Sequence, residues 1–97
     1  MSRAILFSKF TDTVSKFRGK RSSLGELVFE LQPIVENIPV ASSRERDELR
    51  GLWAVLDEVY AVALDESRDP IQAETDSVLR SLGQLETFVA EIRARQE

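Results

Sequence analysis

Neither cysteine nor histidine occurs among the 97 residues of the chain, which has only three prolines, four glycines, one tryptophan and one tyrosine. Each absence removes a class of function. Without cysteine there is no disulfide framework and no thiolate nucleophile, a composition that suits a reducing compartment and points to a cytoplasmic protein. Without histidine the most common general base and metal ligand is missing. The longest uninterrupted apolar run is Val59 to Leu64, far short of the roughly 20 residues that span a bilayer. Ala4 to Phe7 is too short for the apolar region of a secretory signal.

What remains for chemistry is carboxylates. Two acidic pairs, Glu45 with Glu48 and Glu66 with Asp69, are the only candidates for a metal or acid–base site. Glu48 and Glu66 would lie about 27 Å apart on a straight helix, so they cannot share an ion. First-turn acids and helix caps account for them. No catalytic, cofactor-binding or metal residue is assigned, and the chain is expected not to be an enzyme.

The most apolar stretch, Leu49 to Leu64, predicts a central helix. Leu49, Leu52, Trp53, Leu56, Val59, Tyr60, Ala63 and Leu64 fall on one wide face that Val55 and Val62 extend. A helix this apolar needs neighbours on several sides, and three further amphipathic segments supply them. Trp53 and Tyr60 read as core rather than as a stacking platform, because leucines and valines surround them at helical spacing.

The first segment, about Arg3 to Phe17, places Phe7, Phe10, Val14 and Phe17 along one face, with Leu6 beside them. Gly19 is expected to end it. A second segment opens at Ser23 and Glu26, a capping box, and carries Leu24, Leu27, Val28, Leu31, Val35 and Ile38. Pro33 predicts a kink or break near Gln32, and Pro39 ends the segment. Ser42 with Glu45 forms a second box for the central helix, which runs to about Glu66. Asp69, Pro70 and Gln72 form a third, opening a last helix whose seam is Ile71, Thr75, Val78, Leu82, Leu85, Val89 and Ile92, broadened by Leu79 and Phe88.

Short connections make successive helices antiparallel. The expected fold is all-α: one domain, 1–97, forming a four-helix, mainly antiparallel bundle with two shorter N-terminal helices and two long C-terminal ones. Its parts are a basic amphipathic first helix (1–21), a second helix and linker (22–41) and a long helical hairpin (42–97). In that hairpin Gly51 falls level with Gly83 or Gln84, which predicts a close backbone approach.

Charge is unevenly distributed. Residues 1–21 hold six basic residues against Asp12 alone, a net of +5, while the rest hold seven against sixteen, a net of −9. Such asymmetry marks either a segment that docks on its own acidic bundle or a surface for an anionic partner. Lys9, Lys16, Arg18, Lys20 and Arg21 are the candidate partner-binding residues. The functional expectation is a helical adaptor, inhibitor or regulatory partner that binds another protein. The alternative is binding to nucleic acid or an anionic membrane surface through the basic segment.

Self-association is also expected. The long helices should reach about 36 to 39 Å and the short ones about 22 to 24 Å, so one end of the long hairpin stays bare. At the hairpin turn the apolar residues are Ala63, Leu64, Ile71 and Val78; at the opposite end they are Leu85, Phe88, Val89 and Ile92. The second set continues the cleaner heptad and is the expected homodimer contact.

Overall fold

A computed structural model describes residues 3–96 as four helices: α1 (Arg3–Arg18), α2 (Leu24–Asn37), α3 (Ser43–Asp65) and α4 (Gln72–Ala94). Cross-helix contacts fix their directions. Trp53 meets Val28 whereas Arg50 meets Glu36, so α3 descends as α2 rises. Ser81 meets Leu52 whereas Arg95 meets Glu45, so α4 is antiparallel to α3. Arg18 pairs with Glu86 and Arg93 lies over the Phe7 ring at 5.9 Å, so α1 is antiparallel to α4 and closes the ring of helices.

The periodic apolar residues form the core. Leu6, Phe7, Phe10 and Val14 of α1, Leu27, Leu31 and Val35 of α2, Leu49, Leu56 and Val59 of α3, and Val78, Leu82, Leu85, Val89 and Ile92 of α4 are buried in one cluster. Ser81 is buried among them because its hydroxyl donates to the Leu52 carbonyl at 2.8 Å, tying α4 to α3.

Helix ends follow local chemistry. Ser23 and Glu26 make the expected reciprocal box, with both hydrogen bonds at 3.1 Å. The Ser42 hydroxyl accepts from the Glu45 amide at 3.3 Å, but the Glu45 carboxylate accepts from the amide of Ala41, so that box is only half made. The C-termini of α1 and α3 share one closure: Arg21 N–H donates to the Lys16 carbonyl and Arg68 N–H to that of Ala63, each reaching back over a left-handed residue. Those residues are Lys20 (φ 60°) and Ser67 (φ 52°). Gly19 therefore precedes the left-handed position instead of occupying it.

Of the two alternatives at Pro33, a kink or a break, the break does not occur: α2 runs from Leu24 to Asn37 with the proline inside it. The proline and Phe29, whose carbonyl loses its usual donor, are both exposed, so water can solvate the orphaned oxygen. The last helix begins at Gln72 rather than Pro70, with Glu74 reaching back to the Ile71 amide at 3.0 Å, and Asp69 does not cap it. Gly51 and Gly83 mark no close approach: a Cβ on either would meet nothing within 4 Å. The central helix is also less enclosed than its composition suggests, with Trp53 and Tyr60 half-buried and Val62 and Leu64 exposed.

Candidate functional site

The basic segment is partly consumed within the bundle. Lys16 Nζ donates to both carboxylate oxygens of Glu30, at 3.1 and 3.2 Å, and the Arg18 guanidinium pairs with Glu86. Because α1 lies between α2 and α4, acidic residues from both come within reach of its last turn. Lys16 and Arg18 therefore each have a carboxylate partner on a neighbouring helix within the chain. Such half-exposed pairs contribute only about 0–1 kcal/mol each. Lys9, Lys20 and Arg21 are exposed, and no salt bridge among the described residues engages them.

The apolar set expected at the dimer contact is in a different environment. Leu85, Val89 and Ile92 are buried within the chain and Phe88 is half-buried. The cause is the short α2–α3 link, residues 38–42, which holds the C-terminus of α2 beside the start of α3. The short hairpin is thereby drawn level with the chain-end side of the long hairpin and covers the C-terminal seam. Gln96 completes this closure by donating to the Pro39 carbonyl at 3.1 Å. The bare end is the α3–α4 turn, where Leu64 and Ile71 are exposed, while Ala63 and Val78 remain inside.

Beside that turn lies the most exposed large apolar side chain among the described residues, Phe29, with 78% of its surface accessible. It stands on a ridge of α2 between two open grooves. One, of about 770 Å³, runs between α2 and the end of α3; its apolar lining includes Leu24, Tyr60, Leu64 and Pro70, and its charged lining is Glu26, Glu30, Arg68 and Asp69. The other, of about 660 Å³, runs between α1 and α2 and is lined by Leu6, Thr13, Pro33 and Ile34 together with Lys9 and Glu30. Sequence reasoning gave Phe29 no role. The available signal was negative: Phe29 falls off the apolar stripe of its helix.

Elsewhere several charged groups are matched to each other. Arg95 grips Glu45 with both terminal nitrogens, at 2.7 and 2.9 Å, and this bond, followed by the Ala41 amide, lowers the Glu45 carboxyl to about 2. Arg68 holds Glu74 below its usual range, aided by the Ile71 amide, and Arg50 does the same to Glu36. The Ser23 amide, then its hydroxyl, lowers Glu26. Arg46 reaches back to the Val35 and Ile38 carbonyls, satisfying the C-terminal acceptors of α2. Of the acidic pairs, Glu45 binds Arg95, Glu48 lies near Arg44 and Glu66 pairs with Arg68. No three His, Cys, Asp or Glu side chains converge as a metal site among the described residues, and no helix among them is long and apolar enough to cross a membrane.

The chain matches no protein-family model, no curated protein and no solved structure.

Proposed function

We propose that the chain is a non-catalytic helical interaction protein, an adaptor, inhibitor or regulatory partner, that acts by protein–protein binding through the face centred on Phe29. The observation that carries this reading is the exposure of Phe29 beside Leu64, two large apolar side chains that the fold leaves in water next to a groove. Interfaces concentrate their energy in aromatic anchors of this kind, seated among residues that exclude water. The disposition of charge supports the same reading. Several carboxylates and guanidiniums pair with one another or cap helix ends, whereas Lys9 and Asp69, which line the grooves beside Phe29, have no salt bridge among the described residues. Absence of cysteine agrees with action in the cytoplasm.

The test is capture of partners from the source cell by the native chain and by Phe29→Asp, with circular dichroism to establish that the variant is folded. Loss of a specific protein with the variant supports the reading. Equal recovery by both forms contradicts it. Salt-sensitive binding to DNA or anionic vesicles, lost in a Lys9→Glu/Lys20→Glu/Arg21→Glu variant, would instead favour the basic segment as the functional surface.

A further inference from the structure

We infer that the Phe29 face is closed by a second copy of the chain, forming a two-fold dimer in which each Phe29 ring enters a groove of its partner. This rests on the reading of that face as protein-binding and names the occupant. Two features of the face favour a copy of itself. It carries both halves of an apolar lock, since a protruding ring on α2 stands directly beside a groove floored by Tyr60, Leu64 and Pro70. A two-fold interface demands such self-complementarity, because whatever one subunit presents the other must receive.

The charges that its two grooves leave unpaired are also of opposite sign. Glu30 lines both grooves but is held by Lys16, and Arg68 lines the α2–α3 groove but is held by Glu66 and Glu74; this leaves Lys9 in the α1–α2 groove and Glu26 and Asp69 in the α2–α3 groove, none of which carries a salt bridge among the described residues. In an isologous contact the unpaired base of each copy can meet the unpaired acids of the other, so the pairing is made twice. A partner that was uniformly basic or uniformly acidic would be repelled at one groove.

The experiment is sedimentation equilibrium of the full chain from 1 to 100 μM, with Phe29→Asp, Lys9→Glu, Asp69→Lys and the Lys9→Glu/Asp69→Lys double variant, each shown to be folded by circular dichroism. The native chain is expected to be a dimer, and Phe29→Asp a monomer across the range. Each single charge reversal should weaken the dimer at least tenfold, and the double reversal should restore most of that loss. A native chain that stays monomeric throughout overturns the inference, as does a dimer that Phe29→Asp leaves intact. Charge reversals without effect, or additive losses in the double variant, overturn the charge pairing. A monomer whose Phe29→Asp form still loses a captured partner would leave the interaction reading standing and remove only the second copy.

Discussion

Tyr60 Cε1 lies 2.7 Å from the point that a Cβ on Gly25 would occupy, with the phenol carbon at 2.8 Å. The ring lies flush against the first turn of α2, and only glycine leaves it that room. Two effects of Gly25→Ala oppose each other. Helix propensity favours alanine by about 1 kcal/mol, whereas forcing a methyl against an aromatic ring costs roughly 1–3 kcal/mol. The expected net result is a loss of about 1 kcal/mol in urea unfolding. In a Tyr60→Leu background the same substitution should become neutral or stabilising. Equal stabilisation in both backgrounds would show that the ring yields freely.

Gly51 and Gly83 supply the contrast. Both sit inside long helices with open space where a Cβ would go. Gly51→Ala and Gly83→Ala should each raise stability by about 0.5–1 kcal/mol, additively. Thermal unfolding of the single and double variants checks this, and a destabilised variant would mean that the small residue serves a contact made outside the monomer.

Ser67 holds a left-handed conformation that an L side chain rarely adopts, at the closure between α3 and α4. Glycine occupies that conformation without a Cβ penalty. Ser67→Gly should therefore stabilise the fold by about 1 kcal/mol, less a few tenths for the added freedom of the unfolded chain. Ser67→Val, β-branched, should destabilise it. Chemical denaturation of the pair reads the sign, and the reverse order would contradict the assigned closure.

The Glu45–Arg95 pair joins the start of α3 to the end of α4 and sets a pH dependence. Its carboxyl titrates near 2 in the folded chain, against about 4.3 when unfolded. A depressed folded value means that the contribution is fully present above the unfolded value and is lost as pH falls from there toward 2. The melting temperature of Glu45→Gln should lie below that of the native chain at pH 7, and the gap should close as pH falls through that window. A gap independent of pH would show that the ionised pair is not its source.

Much of the fold was legible because helical periodicity and caps are local signals. The Leu82–Leu85–Val89–Ile92 seam, the aromatic face of α1 and the Ser23 box needed only near neighbours in the chain. What was hidden depended on tertiary placement. Pro33 reads as a breaker from composition, yet its exposed position on α2 makes the lost hydrogen bond tolerable. Which end of the long hairpin stays bare depends on how the link at 38–42 draws α2 along α3, and periodicity carries no information about that sliding. The candidate surface was hidden for the same reason. Phe29 breaks the pattern of its own helix, and its setting between two grooves exists only once α1, α2 and α3 have packed.

Phe29 itself provides the most direct measurement. A photo-crosslinking benzoylphenylalanine placed at position 29 and activated in the source cell reports what touches that ring. A covalent adduct with protein, of discrete mass and absent when the same group replaces exposed Thr87, is the expected result. Adducts confined to lipid or nucleic acid, or equal labelling from both positions, would contradict a protein-binding face at Phe29.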